Sequence, residues 1–307
     1  MLSSALRRIA KEELSHRVLS DGGVADRPQG KFRIDATAWA IITLSALNES
    51  PALIDRCRAR LRSEQGDDGR IWVSRDNPDT FWPTALTVLA WQDSSACMDA
   101  QKRAVKFLLD TTGVHYSSRF SEVAGHDPGL KGWPWVANTH SWVEPTVLGV
   151  MALTAAGYGR HERVQEALRM IEDRQLPHGG WNYGNTFVFG RELRPMPEST
   201  GTALTGLAGH VDAGMVARSL DYLQGEINSM RTPVSLGWGL LGLAAWGQSP
   251  TNGLMLVERC LANQSRYGEY DTSSFCLLVL GGLAAEPERG RQLWFVPDAH
   301  QSGPVVQ

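Results

Sequence analysis

The sequence lacks several features that would place it in a common functional class. It has no run of about 18 apolar residues, the length that a membrane-spanning helix requires. Its formal net charge is −3, and charges of both signs are mixed along the chain, so bulk charge does not indicate nucleic-acid binding. Walker and GxSxG motifs are also absent. These absences argue against a transmembrane protein, a DNA- or RNA-binding protein and the common nucleotide-binding and serine-hydrolase folds.

Cysteine is scarce and unpaired in sequence. The four cysteines are far apart and form no CxxC motif: Cys57, Cys97, Cys260 and Cys276. In a chain of 307 residues this usage is typical of reduced thiols, so it predicts a cytoplasmic protein. The N-terminal segment also lacks the apolar central run of a secretory signal, because charged residues interrupt it.

The first residues predict an amphipathic helix outside the main repeats. Apolar residues recur there at helical spacing: Ala5, Leu6, Ile9, Leu14 and Val18. Such a helix would pack on the domain; contact with a membrane surface is the alternative. We therefore divide the chain into an N-terminal helical extension (1–27), a main helical domain (28–285) and a C-terminal tail (286–307).

A short pattern recurs six times, each time before an apolar helix. It combines an acidic residue or proline with Thr or Ser, and its copies lie near residues 35, 83, 144, 198, 234 and 271. Side-chain oxygens at such positions predict N-terminal caps. The helices that follow are apolar on all sides, which predicts burial, and polar amphipathic helices alternate with them. The sequence therefore predicts an all-α fold, an (α/α)6 toroid of about six helix pairs with two concentric layers.

A second motif, Q-x3-G-x-W, precedes several of these helix starts. It is complete from Gln175 to Trp181, has one extra residue between Gln65 and Trp72, and ends in Tyr270 after Gln264. Glutamine can hydrogen-bond the ends of neighbouring helices, glycine permits the turn, and the aromatic ring packs over it.

Together the two motifs resemble the repeats of squalene-hopene cyclases and related terpenoid cyclases, over roughly residues 28–285. The segment from Gly132 to Asn185 is especially similar to bacterial proteins that carry the prenyltransferase/squalene-oxidase repeat. Protein prenyltransferase β subunits share the toroid. The resemblance implies this fold strongly, whereas it implies activity only weakly.

The resemblance places a candidate proton donor at Asp35. Class II terpene cyclases protonate an alkene with the middle Asp of an Asp-x-Asp-Asp-Thr-Ala motif, and the local match here is Arg33-Ile34-Asp35-Ala36-Thr37-Ala38. Arg33 and Ala36 replace two of the acids, and a nearby arginine favours the ionised form. Further carboxylates at equivalent helix starts complete the candidate catalytic set: Asp79, Glu144, Glu198 and Asp271. The alternative for each is that it only caps its own helix.

Aromatic side chains and one histidine form the candidate substrate-binding set, since many of them flank the same helix starts. They are Trp82, Trp135, His140, Trp142, Trp181, Tyr183, Phe187 and Trp238. Such a set could line a cavity that holds an isoprenoid and stabilises carbocations, or it could be ordinary packing at the repeat junctions.

We predict no metal and no cofactor. The zinc of protein prenyltransferases needs an Asp-x-Cys pair and a distant His, whereas Asp271 and Cys276 are five residues apart. The leading hypothesis is a terpenoid-cyclase-like protein that binds or cyclises an isoprenoid or similar apolar substrate by metal-independent acid catalysis. The alternatives are a non-catalytic toroid that binds a lipid, peptide or partner protein, and a polysaccharide lyase or hydrolase. Whether the chain is an enzyme is thus left open.

Overall fold

The computed structural model describes residues 2–286, and the fold is almost entirely helical. Six helices form the inner layer: α2 (Ile34–Ala46), α4 (Pro83–Ala90), α7 (Val143–Leu153), α9 (Pro197–Leu207), α11 (Pro233–Ala245) and α14 (Thr272–Ala284). The outer layer is formed by α1 (Leu2–Arg17), α3 (Pro51–Arg62), α5 (Met98–Asp110), α8 (Glu162–Asp173), α10 (Ala213–Glu226) and α12 (Gly253–Ala262). Two one-turn helices, α6 (Ser121–Ala124) and α13 (Gln264–Tyr267), lie in connections. No helix in the described part is long and apolar enough to cross a membrane.

The inner helices form a closed ring. Each contacts its neighbours in the order α2, α4, α7, α9, α11, α14, and α14 returns to α2. Residues 236–244 of α11 and 275–284 of α14 are all buried, as the all-round apolar sequences predicted. The (α/α)6 toroid predicted from the sequence is therefore confirmed.

The sixth helix pair joins the two ends of the described chain. The outer helix α1 packs against α14 and α12. Its last residue, Arg17, is only 1% exposed and donates hydrogen bonds to Tyr270 O and Thr272 Oγ1. We therefore propose that α1 is part of the toroid, although the sequence analysis set residues 1–27 apart as an extension. Of the predicted tail, residues 287–307 lie outside the described residues.

Glycine permits the close approach of three inner helices. A Cβ atom at Gly201 of α9 would lie 2.3 Å from Trp238 O of α11, and one at Gly237 would lie 2.7 Å from Leu277 O of α14. Backbone atoms cannot move aside as a flexible side chain can, so a larger residue at either position would push the helices apart. With glycine there, α9, α11 and α14 pack with their backbones nearly in contact.

The recurrent threonine is not an N-terminal cap, which corrects the explanation drawn from sequence. In α7 and α9, Thr146 and Thr200 lie in the first turn, and their hydroxyls accept the backbone N–H groups of Trp133 and Trp181 at 3.0 Å. Thr84 does the same for Ile71 N at 2.9 Å. The hydroxyl thus fixes the preceding loop to the helix, which explains why the repeat needs a small buried hydroxyl residue there.

The Q-x3-G-x-W turns connect neighbouring helix pairs. Gln175 Nε2 donates to Met215 O and Ser219 Oγ of α10, and Trp181 Nε1 donates to Ile171 O of α8. Gly179 has φ +96°, and a Cβ there would lie 2.7 Å from the Arg218 backbone. After this turn a two-residue antiparallel hairpin, β1 (Phe187–Val188) and β2 (Arg191–Glu192), interrupts the helical order.

Candidate functional site

Four of the five predicted acids fall into two groups in the structure, and Asp79 joins neither. Glu144 and Glu198 start the adjacent helices α7 and α9 and interact electrostatically. Asp35 of α2 and Asp271 before α14 both act on Arg33. The Asp79 side chain is exposed and makes no hydrogen bond or ion pair within residues 2–286, although its carbonyl accepts the Ala137 N–H at 2.8 Å.

Glu144 is a carboxyl group without a partner. It lies in the first turn of α7, after the N-cap position Trp142, and no hydrogen bond to its side chain is made by the described residues. The side chain keeps some accessible surface, yet protein surrounds it closely enough that burial, and secondly the Glu198 charge, raise its pKa from 4.5 to about 7. Glu144 is therefore substantially protonated near neutral pH.

Glu198 has the opposite environment. The Tyr183 hydroxyl donates to Glu198 Oε1 at 2.8 Å, and the Ser235 hydroxyl donates to Oε2 at 2.9 Å. These bonds occupy both oxygens of the carboxylate, and the first of them is the main reason that the pKa of Tyr183 is raised. The tyrosine was predicted as a substrate-binding residue; the serine was not, because it belongs to the degenerate repeat before α11.

Asp35 is held in an ion pair. Arg33 donates from Nε to Oδ1 at 2.8 Å and from Nη2 to Oδ2 at 3.0 Å, and the Ser273 hydroxyl lies 3.3 Å from Oδ2. The carboxylate is 7% exposed. Both carboxylate oxygens accept hydrogen bonds from Arg33, so this geometry does not favour Asp35 as a proton donor.

Helix capping accounts for only one of these acids. The Asp271 carboxylate accepts the Ser274 N–H at 3.0 Å and caps α14. By contrast, Asp35, Glu144 and Glu198 lie inside their helices and make no cap bond. The capping alternative therefore applies to Asp271 alone.

The predicted aromatic set includes both buried core rings and partly exposed rings. Trp181 and Trp238 are at most 1% exposed and belong to the hydrophobic core, so they pack rather than line an open cavity. Trp82 contacts Trp135 edge to face at 5.3 Å between ring centroids, and His140 lies 4.4 Å from Trp142. These four rings are partly exposed and belong to the segments that precede α4 and α7.

A cavity of about 480 Å³, which we call the loop pocket, lies between the segments around residues 114–141 and 174–188. It is lined by Val114, Tyr116, Phe120, Ala124, His126, Pro128, Leu130, His140, Ser141, Arg174, Asn185, Phe187 and Val188. His140 and Phe187 are the predicted residues among them. Sequence analysis missed His126 and Arg174, because a polar residue in a loop or at the end of an amphipathic helix is ordinarily solvated.

The described residues contain no group of three or more His, Cys, Asp or Glu side chains that could hold a metal ion. The four cysteines are buried and unpaired. Burial raises the pKa of the Cys276 thiol to about 12, so this residue stays a protonated core side chain.

Comparison with known proteins shows a shared fold. No protein-family model matches the chain, and no curated protein matches it. A crystal structure of a protein from Actinoplanes is 17% identical, with a TM-score of 0.58 over 92% of this chain and 98% of that one.

Two further structures have known substrates. An inactive variant of the α-1,6-mannanase GH76A of Salegentibacter sp. HEL1_6, in complex with α-1,6-mannotriose, is 9% identical with a TM-score of 0.65 over 93% of this chain and 100% of that one. A variant of the type II terpene cyclase MstE from Scytonema, in complex with geranylgeranyl dihydroxybenzoate, is 11% identical with a TM-score of 0.61 over 95% and 98%. At these identities the likeness shows the α/α toroid that terpene cyclases and glycoside hydrolases share, and nothing finer.

Proposed function

We propose that this protein is an acid catalyst in which Glu144 donates a proton and ionised Glu198 stabilises the positive charge that forms on the substrate. The observation that carries the proposal is the contrast between the two carboxyl groups. Glu144 has no hydrogen-bond partner among the described residues and a pKa of about 7, whereas Glu198 accepts two hydroxyl hydrogen bonds. Neighbouring carboxyl groups with unequal environments are typical of acid–base pairs.

The different environments of the two carboxyl groups indicate which one donates the proton and which one stabilises the cation. Burial and the negative charge of Glu198 hold the proton on Glu144. Once Glu144 has given it up, a cation close to both carboxylates gains favourable interactions that the neutral substrate lacked. Asp35 would then act structurally, by holding Arg33 beside α14.

The substrate class that we favour is an isoprenoid or a similar apolar alkene. The repeats resemble those of terpenoid cyclases, and the toroid is shared with a terpene cyclase that binds a geranylgeranyl compound. The rings of Trp82, Trp135 and Trp142 also fit, because their faces can stabilise a carbocation. In such a reaction Glu144 protonates a terminal double bond, and carbon–carbon bonds then close the ring. The final cation loses a proton to water, and Glu144 regains its proton from solvent.

A glycoside is the second candidate, favoured by the pKa of Glu144. A carboxylic acid with a raised pKa suits protonation of the oxygen of a glycosidic leaving group, with a second, ionised carboxylate beside it. The toroid is likewise shared with a mannanase.

The test is turnover of both substrate classes, analysed by chromatography coupled to mass spectrometry, so that an isomeric product is separated from its substrate. Purified protein is incubated with geranylgeraniol, geranylgeranyl dihydroxybenzoate and α-1,6-mannotriose. Cyclisation yields a product of unchanged mass, whereas glycoside hydrolysis adds one water molecule. We expect Glu144→Gln to lower turnover by about 10²–10⁴-fold, the usual contribution of a general acid.

Asp35→Asn is the matched comparison. If Glu144 is the acid, the Asp35 variant keeps turnover; if Asp35 is the acid, the pattern reverses. Wild-type turnover by Glu144→Gln would refute the proposal, and failure of the wild type to convert either class would favour the non-catalytic binding protein.

A further inference from the structure

Arg174 makes the loop pocket unusual, because it is a buried cation with few partners. The residue is 5% exposed and lines the pocket. Among the described residues it donates one hydrogen bond, from Nη1 to Gly184 O, while its Nε is buried without a hydrogen-bond acceptor. A guanidinium group has five N–H donors, and leaving them unsatisfied away from water costs free energy.

Asp173 only partly neutralises the positive charge of Arg174. Its Oδ2 lies 3.7 Å from Arg174 Nε, too far for a hydrogen bond, and the same oxygen accepts the Asp127 N–H at 2.8 Å. Burial is the main reason that the pKa of Arg174 falls, but only to about 10, so the group remains charged at neutral pH.

Arg163 shows how this fold satisfies the terminal nitrogens of a structural arginine, although its Nε is also buried without an acceptor among the described residues. Its two terminal nitrogens donate to three backbone carbonyls, those of Thr111, Lys131 and Gly132, and its guanidinium lies 3.9 Å from the Trp133 ring centroid. Arg174 has no comparable set of acceptors in the described structure, and it faces a cavity rather than packed backbone.

The two histidines of the pocket add polar groups without adding charge. Burial first, and the Arg174 charge second, lower the pKa of both His126 and His140, that of His126 to about 4. Both rings are therefore neutral at pH 7. His126 Nδ1 is bonded to the Thr186 hydroxyl at 3.1 Å, whereas His140 Nε2 is buried without a partner.

The remaining wall is mostly apolar. Side chains that carry no polar group face the cavity from several segments, among them Val114, Phe120, Leu130, Phe187 and Val188. The volume of about 480 Å³ lies in the range of small-molecule sites, which are apolar clefts with a few well-placed polar groups.

We infer that the loop pocket binds an organic carboxylate with an apolar body, whose carboxylate contacts Arg174 and whose body lies against the wall of Phe120, Phe187 and Val188. A carboxylate supplies the acceptors that the guanidinium lacks and neutralises its charge. Neither Glu144 nor Glu198 lines the loop pocket, and the inference does not depend on the proposed catalysis.

The experiment is calorimetric titration of the full chain with octanoate at pH 7, alongside the uncharged analogues octan-1-ol and methyl octanoate. We expect saturable octanoate binding with a Kd on the order of 10–100 µM, and binding at least about tenfold weaker for both uncharged compounds. Hexanoate should bind more weakly than octanoate, because it buries less apolar surface.

Three variants locate the site. Arg174→Gln should lose at least about tenfold in octanoate affinity, and Arg174→Lys should recover part of it because the charge returns. Ala124→Phe adds a ring to the lining and should block binding while Arg174 stays in place. Arg191→Gln, at an exposed arginine of β2 that does not line the pocket, is the matched control and should bind as the wild type does.

The inference is overturned if octanoate does not saturate the protein by about 2 mM, a limit well above the expected Kd. Equal affinity for octan-1-ol, or wild-type affinity in the Arg174→Gln variant, would also overturn it. If Arg174→Gln fails to fold, Ala124→Phe decides, and unchanged binding there refutes the site. Glu144→Gln should retain octanoate binding, so a failure of the catalytic proposal and a failure of this one are distinguishable.

Discussion

Replacement of Glu144 by glutamine should make the protein more stable, and increasingly so as the pH rises. In the folded protein burial and the Glu198 charge raise the pKa of Glu144 from 4.5 to about 7. The folded state then binds more protons than the unfolded state between these two values, so wild-type stability falls as the pH rises through that window. Glutamine keeps the shape of the protonated acid and cannot ionise.

The magnitude follows from the shift. Each pKa unit corresponds to about 1.4 kcal/mol, so a rise from 4.5 to about 7 makes full ionisation of Glu144 cost at most about 3.5 kcal/mol. The accessible surface that the side chain retains reduces this upper limit, because water stabilises the ionised form. Below pH 4.5 the two proteins should be nearly equal in stability, and above about pH 7 the difference should reach its plateau.

The measurement is urea unfolding of wild type and Glu144→Gln at steps from about pH 4 to pH 9, with the free energy of unfolding compared at each step. Glu258→Gln, at an exposed glutamate of α12, is the control and should follow the wild type throughout. Glu198→Gln in an otherwise wild-type chain should reduce the pH dependence, because it removes the second cause of the shift. A difference between Glu144→Gln and wild type that stays constant with pH would refute the reasoning.

Three further predictions concern stability. Trp181→Ala should lower the free energy of unfolding by about 3–5 kcal/mol, since it leaves a cavity and removes the indole hydrogen bond to Ile171 O. An unchanged thermal midpoint would contradict its core position. Gly179→Ala should lower the free energy of unfolding, measured by chemical denaturation, by about 1–3 kcal/mol, because φ is +96° and the added Cβ would meet the Arg218 backbone. Equal stability would show that the turn relaxes. Arg17→Met should lower the free energy of unfolding by about 3 kcal/mol, because its hydrogen bonds to Tyr270 and Thr272 are lost. Thermal unfolding measures this, and an unchanged stability would argue against α1 as part of the toroid.

Local sequence was sufficient to find the inner helices. The six motif copies lie within a residue or so of the observed starts at Ile34, Pro83, Val143, Pro197, Pro233 and Thr272. All-round apolar composition correctly placed these helices in the inner layer, because a helix without a polar face must be buried on every side. The glutamine of the Q-x3-G-x-W turn at Gln175 hydrogen-bonds Ser219 of the neighbouring outer helix α10.

The hydrogen-bond partners of the motif residues were harder to predict from the sequence. The hydroxyl of Thr200 bonds the loop before its helix instead of capping it, and Asp35 bonds Arg33 instead of its own backbone. A pattern of residue types shows that a hydroxyl or carboxylate stands at a helix start, but several partners are within its reach. Which one it takes depends on how the loop returns to the helix.

The candidate site was decided by the tertiary structure. Sequence alone placed five acids at equivalent helix starts. The packing of α7 against α9 lets Glu144 and Glu198 interact, and closure of the ring between α14 and α2 brings Asp35 to Ser273, 238 residues away. The burial of Arg174 beside the loop pocket has the same origin. Helix starts and buried faces are determined by neighbours three or four residues apart, which the sequence contains directly. The environment of a charge is determined by groups that only the tertiary structure brings within a few ångströms.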